Sequence, residues 1–580
     1  MRALTRRFVL PVALSLALVT GACAAQTDTT ATSAATSTNA ATSAAAAAST
    51  PTSAAATLAA NAEVIDLSSS TAAAADTAEV AITLSGDSAS SDSAAVTVAG
   101  STVTITAAGT YRISGTLTDG QIVVDSAGDG VVTLILDGAD ITSSTTAAVL
   151  VSDAEAAVVD LADGTQNSLT TTGTAAATAA AGTETETDVP DAALYSTADL
   201  TISGTGALTV SGDVDGITGK DGLVVAAGTI TVTAADDGIR GKDYLVVDGG
   251  TVTVTAGGDG LKSDDEDDVA DGFVSITGGS VAITAGGDGI DAVTDVVITG
   301  GTVTVQAGGG ATAAVSDAVS TKGVKGGVSV VVEGGEVSVD AADDAVHSDG
   351  SVAVNGGTLT VASGDDGLHA DGEVAITAGT VAVTSSYEGV EGATVTVAGG
   401  DTTVLASDDG LNAGELLTVS GGTLTVDSGG DGLDSNGSAV ISGGTTVVAG
   451  PVQQGNGALD SNGGITVTGG SLIAVGTSGM VEAPTTDSAQ GWVAATLTST
   501  VQAGSAVQVT GADGAVVAEF TATKAFTSVV VSTDAVTSGA GYTVVADGAT
   551  VGTATAGEPP AGGMGMGGGM GGGRQAPNGG

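Results

Sequence analysis

The chain has 580 residues, with 92 glycines, 2% aromatic residues and a formal net charge of −54 at pH 7. So few aromatics leave little for one large globular core, whereas abundant Val, Thr and Gly suit thin stacked layers. A surface this acidic excludes nucleic acid and anionic lipid as partners and attracts cations instead.

Residues 1–22 read as an export signal: Arg2, Arg6 and Arg7, an apolar run from Phe8 to Val19, then small residues. The run is too short to span a bilayer comfortably. Thr20-Gly21-Ala22-Cys23 resembles a bacterial lipobox, with Thr20 where Leu is usual, so lipid attachment at Cys23 is expected. That anchor is the only membrane contact expected. Cys23 is the only cysteine, which excludes an intrachain disulfide. Thr5-Arg6-Arg7-Phe8 leaves twin-arginine export open beside the general route. Residues 23–61 are almost all Ala, Thr and Ser and are expected to form a disordered stalk. Such a chain reaches roughly 30–35 Å.

Strands begin at Val64-Ile65 and continue at Val96–Val98, Val103–Ile105, Ile122–Val124 and Val132–Leu136, each bounded by Gly, Asp or Ser turns. Their uneven spacing suits the terminal cap of a solenoid. Residues 172–190, with Glu184 and Glu186, read as a loop ejected from the stack. Regular coils follow, each an alternating strand, Gly-Gly, and a second alternating strand. Inward pairs such as Val252/Val254, Val281/Ile283, Val303/Val305 and Leu424/Val426 come from one strand per coil. Leu245/Val247, Val274/Ile276 and Val374/Ile376 come from the other. Two inward stripes in fixed order require a tube, because a flat sheet would leave one stripe wet. The fold predicted for residues 62–488 is a parallel β-helix. After Ala489 the period stops. Residues 489–552, with Trp492, Phe520, Phe526 and Tyr542, read as a small C-terminal β domain or cap, and 553–580 as a disordered Gly/Met-rich tail.

An acidic residue closes each coil, followed in nearly every case by Gly: Asp215, Asp237, Asp259, Asp288, Asp344, Asp366, Glu388, Asp409 and Asp431. Their separations are 22, 22, 29, 56, 22, 22, 21 and 22 residues, the 56 covering two coils with insertions. Stacked coils put equivalent residues about 4.8 Å apart. Two unit charges at that spacing repel by roughly 0.9 kcal/mol in water and about 3.5 kcal/mol at an effective dielectric of 20. A lone Asp-Gly is ordinarily a turn former; nine in register call for neutralising protons or cations. Calcium, with oxygen ligands at about 2.3–2.6 Å, fits between two rungs. Further acids add ligands: Asp221, Asp243 and Asp265 six residues after a rung, Asp349 and Asp371 five after, and Asp291, Glu391 and Asp434 three after. Asp264-Asp265-Glu266-Asp267-Asp268 is the densest run. The candidate metal ligands are therefore Asp215, Asp237, Asp243, Asp259, Asp264, Asp265, Asp288, Asp366, Asp371, Glu388, Glu391, Asp409, Asp431 and Asp434, holding several calcium ions.

The cations cluster too. Lys220, Arg240, Lys242, Lys262, Lys322 and Lys325 lie within a few coils, either offsetting the ladder or contacting an anionic sugar. The only histidines, His347 and His369, are 22 residues apart and read as stacked turn residues, so no Ser-His-Asp set is credible. Aromatic stacking platforms are scarce, with only Tyr111, Tyr195, Tyr244, Phe273 and Tyr387 in the helix.

The stretch Asp236-Asp237-Gly-Ile-Arg-Gly-Lys-Asp-Tyr, the acidic loop after Lys262, Tyr387-Glu-Gly-Val-Glu-Gly and Asp431-Gly-Leu-Asp434-Ser-Asn-Gly resemble a family. It is that of bacterial calcium-binding, carbohydrate-binding β-helix proteins related in fold to pectate lyases. The resemblance runs from about Val64 to Thr550. It implies a right-handed parallel β-helix, bound calcium and affinity for acidic plant cell-wall polysaccharide such as polygalacturonate. Asp317-Ala318 and Asp344-Ala345 depart from the acid–Gly pattern, so no ion is expected at those rungs. The expected function is a monomeric, surface-anchored, calcium-dependent binder of uronic-acid polysaccharide. The alternatives are a calcium-dependent lyase with Arg240, Lys242 or Lys262 as base, and a structural or adhesive surface protein.

Overall fold

The computed structural model describes residues 52–61, 64, 79–127, 130–173, 190–315 and 318–560. The expected signal, Cys23, most of the stalk, Ile65, Glu184, Glu186, Asp317 and the tail from 561 lie outside the described residues.

The repeating unit is a coil of three short strands. Each strand pairs in parallel with its counterpart one coil on: Ile239–Gly241 with Leu261–Ser263, Tyr244–Val247 with Phe273–Ile276, and Thr251–Ala256 with Ser280–Ala285. Repetition builds three parallel stacks around one core, a parallel β-helix. It accounts for most of a continuous 45-stranded sheet. The third stack alternates as its sequence dictates, Thr251, Thr253 and Thr255 outward and Val252 and Val254 inward. Val254 aligns with Ile283, then Val305, then Val339, so the inward stripes are vertical columns. The glycine pair turns the corner between the second and third stacks, and Gly250, at φ +81°, takes the left-handed conformation that this corner needs.

The second stack departs from simple alternation. Tyr244–Val247, Phe273–Ile276, Asp295–Ile298 and Ser329–Val332 are buried at every position. Their outer face is covered by a helix, Ala54–Ala60, in the stretch expected to be disordered stalk. Ala54 packs on Val297, Val331 and Ala353, and Leu58 against Val224, Tyr244, Val246 and Phe273. The Ala54 amide donates to Glu333 Oε1 at 2.9 Å, and Asn355 Nδ2 donates to the Thr52 carbonyl at 2.9 Å. Ser53 caps the helix through its side-chain oxygen. The end of the stalk is thus part of the folded unit.

Both ends of the stack are closed. At the N-terminal end, Val96–Ala99 and Thr102–Ile105 form an antiparallel hairpin. At the other end, Phe526–Ser532 pairs antiparallel with Ser471–Gly476 of the last coil and with Trp492–Val501. A four-stranded antiparallel sheet of Ala506–Gly511, Val516–Thr521, Gly541–Ala546 and Ala549–Thr555 completes the region. This stretch, expected as a small β domain or a cap, is joined edge to edge with the solenoid. It ends the parallel stacking of the third stack by an antiparallel pairing on its edge.

Candidate functional site

The acidic ladder lies at the corner before the first stack. In most coils the first-stack strand is three residues long with its middle residue outward, as in Ile239–Gly241, and the acid stands two residues ahead of it. The glycine between them allows a close approach of coils, although Ala345 takes the same place after Asp344. A Cβ on Gly238 would lie 2.3 Å from Val254 Cγ1 and 2.6 Å from the Gly260 carbonyl of the next coil.

The ladder's main bonding is a feature that the sequence reading missed. Asp215 Oδ1 accepts the Asp237 amide (3.1 Å), Asp237 the Asp259 amide (2.8 Å), and Asp259 the Asp288 amide (2.8 Å). Asp344 accepts the Asp366 amide and Asp409 the Asp431 amide in the same way. Each such acid commits one oxygen to backbone one coil on, and Asp215, Asp237, Asp288, Asp344 and Asp366 are buried. The missing rung between Asp288 and Asp344 is a lysine. The Lys322 amide donates to Asp288 Oδ1 across 34 residues, and Lys322 Nζ meets Asp344 across 22. That pair of steps is the 56-residue gap, two coils with an insertion in the first.

Three residues after each rung, the outward positions form a second column: Thr218, Arg240, Lys262, Asp291, Lys325, His347, His369, Glu391, Asn412, Asp434 and Asp460. Its cations all precede Glu391, and there all but Arg240 pair with a rung of the ladder. Lys262 Nζ lies 2.6 Å from Asp259 and 3.2 Å from Asp237, and Lys325 bridges Asp288 and Asp291. His347 Nδ1 and His369 Nδ1 sit 2.8 Å from Asp344 and Asp366, their rings stacked at 5.0 Å. The histidines thus belong to the charge column rather than to plain turns. Burial works against the Asp344 charge, but His347 and Lys322 hold its pKa down to about 2. The hydrogen bond to Asp366 lifts His369 to about 9. Asp344 therefore remains a full rung despite Ala345.

The lyase candidates are paired in the same manner. Arg240 meets Asp264, Lys242 meets Asp265, and Lys262 meets two rungs. Carboxylates raise the pKa of Arg240 and Lys262 against the opposing effect of burial, the wrong direction for a general base.

Beyond Glu391 the balance changes. Among the described residues, no Lys, Arg or His forms an ion pair with Asp409, Asp431, Asp434, Asp460 or Glu482. Burial, and then the carboxylates Asp409, Asp460 and Asp434, push Asp431 up to about 7; burial with Asp409 and Asp460 pushes Asp434 to about 6. Glu388 rises to about 7 through burial and the neighbouring Glu391, Asp366 and Asp409. Tyr387, 49% exposed, stands beside this segment, whereas Tyr111, Tyr195, Tyr244 and Phe273 are buried.

A second acid-rich group lies at the next corner. Asp243, Asp265 and Asp271 have carboxylate oxygens within 4.8 Å of one another. Burial, then Asp221, Asp271 and Asp265, lift Asp243 to about 7. Asp265 is held low, despite its burial, by the Asp267 amide and Lys242. Asp271 was not singled out from the sequence, because an insertion moves it off the coil period. Of the other candidates, Asp215 rises to about 7 through burial and Asp191, and Asp288 to about 6 through burial. Asp371 is on the surface, its side chain 70% exposed and 3.7 Å from His369 Nε2.

The family model of carbohydrate-binding domain-containing proteins matches residues 99–367 and 368–535. A carbohydrate-binding domain-containing protein from Acetivibrio thermocellus is 39% identical over 109 residues, 19% of this chain and 36% of that protein. The match thus spans about a third of that relative's length. The solved structure of the polysaccharide lyase-like protein from C. thermocellum, a gadolinium derivative, aligns at 28% identity over 49% of this chain and 94% of that one, with a TM-score of 0.35. With most of its length covered by the family model, the chain belongs to the carbohydrate-binding domain-containing proteins.

Proposed function

We propose that this is an exported, surface-anchored protein that binds acidic polysaccharide through calcium ions seated on the carboxylate ladder. The observation that carries the reading is the unbalanced run Glu388, Asp409, Asp431 and Asp434, which has stacked acids but no cationic partner beyond the His369–Glu391 contact. Carboxylates one coil apart repel unless a cation lies between them. Calcium takes several hard oxygen ligands, and carboxylates with nearby backbone carbonyls supply that set. An anionic glycan such as polygalacturonate would be repelled by the bare ladder. A shared ion reverses the sign, and the exposed Tyr387 gives a sugar ring a face to rest on. The Asp221, Asp243, Asp265 and Asp271 group is a second seat for calcium. Arg2, Arg6 and Arg7, the apolar run and Cys23 support export and a lipid anchor at the cell surface.

The test is calorimetry of the full chain, titrated first with calcium and then with oligogalacturonate. The expected result is calcium binding, followed by sugar binding that disappears when a chelator is added. Sugar binding that persists in chelator would overturn the calcium bridge.

A further inference from the structure

At Asp366 the ladder's bonding lapses. Asp344 Oδ1 accepts the Asp366 amide, but among the described residues the Glu388 amide makes no such bond to Asp366. Just ahead of Glu388 the register of Thr380–Ser385 slips by one residue against Thr358–Ser363, as at a β-bulge. Asp366 is only 5% exposed, and its Oδ2 lies 2.8 Å from His369 Nδ1. The same Nδ1 lies 3.4 Å from Oε2 of Glu391, the residue stacked on His369 one coil on. One ring nitrogen thus faces two carboxylates, and the three atoms lie within 4.8 Å of one another. A proton on Nδ1 can point along only one of these lines.

We propose that Asp366, His369 and Glu391 form a seat for a zinc-class divalent ion. Zinc takes imidazole nitrogen and carboxylate oxygen at about 2.0–2.2 Å, which sets neighbouring ligand atoms about 3 Å apart. The ion replaces the ring proton on Nδ1, which leaves to solvent, and its two charges balance both carboxylates where the protonated ring balances one. The adjoining group of Asp344, His347 and His369 is a poorer seat, because Lys322 Nζ already lies 2.7 Å from Asp344 Oδ2. The side chains of His369 and Glu391 are 22% and 37% exposed, which gives the ion a way in and a fourth position open to water. Asp366 and Glu391 are also candidate calcium ligands. The imidazole separates the two ions, since calcium takes oxygen ligands. The inference needs no calcium at Asp409, Asp431 or Asp434 and does not rest on that reading.

The chain has only two histidines, so their imidazole nitrogen NMR signals report on the site directly. The metal-stripped full chain is titrated with zinc, by NMR and by calorimetry, with excess calcium present throughout. One zinc is expected to bind, with Nδ1 of His369, and not that of His347, taking the signal of a metal ligand. Its affinity should fall about tenfold or more in His369→Gln and in Glu391→Gln, and stay within about twofold in His347→Gln. Glu391→Gln, at a partly exposed side chain, serves if His369→Gln does not fold. No zinc-dependent change at His369 overturns the proposal. So does displacement of the zinc by calcium, or an equal loss of affinity in His347→Gln. The oligogalacturonate titration in calcium without zinc reads the ladder separately, so the two proposals fail independently.

Discussion

Asp344 and Asp431 occupy equivalent rungs and each gives one oxygen to a backbone amide one coil on. Their second oxygens meet opposite surroundings. Asp344 faces Lys322 and His347 and is held to about 2; Asp431 faces burial and other carboxylates and rises to about 7. A carboxylate already served by side-chain cations has little to gain from calcium, whereas one among like charges has much. Asp431→Asn is therefore expected to weaken calcium binding about tenfold or more and to raise the melting temperature of the calcium-free protein. Asp344→Asn should leave calcium affinity unchanged and cost about 1–3 kcal/mol, because Lys322 keeps Asp343 at 3.0 Å but loses its closer partner. Calorimetry and thermal melts of both variants check this, and an equal loss of calcium binding in the two would defeat the distinction.

The coil shows why some of the element-level design was legible and some was not. Period, inward stripes and ladder registry are local patterns repeated in order, so Val252/Val254 and Asp237 could be placed from the sequence. The helix Ala54–Ala60 could not, because its docking joins residues 279 apart and its own stretch has no amphipathic period. The hint lay in its receptor: Tyr244-Leu-Val-Val and Ser329-Val-Val-Val are apolar without alternation, as strands covered on both faces are. Lys322 was hidden because an insertion broke the count and a cation stands in an acid's place. The Lys322-Gly323-Val324-Lys325 run nonetheless keeps the glycine and the outward residue three further on. That glycine position is one of several close approaches between coils. Gly238→Ala is expected to cost about 1–3 kcal/mol, since the new methyl meets Val254 and the Gly260 carbonyl and the coil must shift to admit it, as it does at Ala345. Gly541→Ala, which meets nothing within 4 Å, should stay within about 0.5 kcal/mol. Denaturant melts of the pair read the difference, and equal effects would mean that coils yield easily at the corner.

Along the whole molecule, charge is graded: cations accompany the ladder through His369, and acids alone continue it to Glu482. The raised acids make stability depend on pH in a definite direction. Asp215, Asp243, Glu388 and Asp431 are raised to about 7 in the fold, well above the usual carboxylate value. Such groups contribute stability that is fully present below about pH 4 and lost as pH rises through about 7. His369, raised to about 9, adds a further loss above about pH 6.5 that calcium does not restore. Asp344, lowered to about 2, changes nothing in this window. Calcium seated among the raised acids offsets their repulsion only once they are ionised. Melting temperatures with calcium and with chelator should therefore nearly coincide at about pH 5 and separate by something on the order of 5 °C at about pH 8, the chelated protein being the less stable. Comparing the two conditions at one pH cancels the histidine contribution. A gap of the same size at both pH values would mean that the ions, if bound, sit on groups other than the raised carboxylates, and the stacked acids would then be a feature of coil bonding alone.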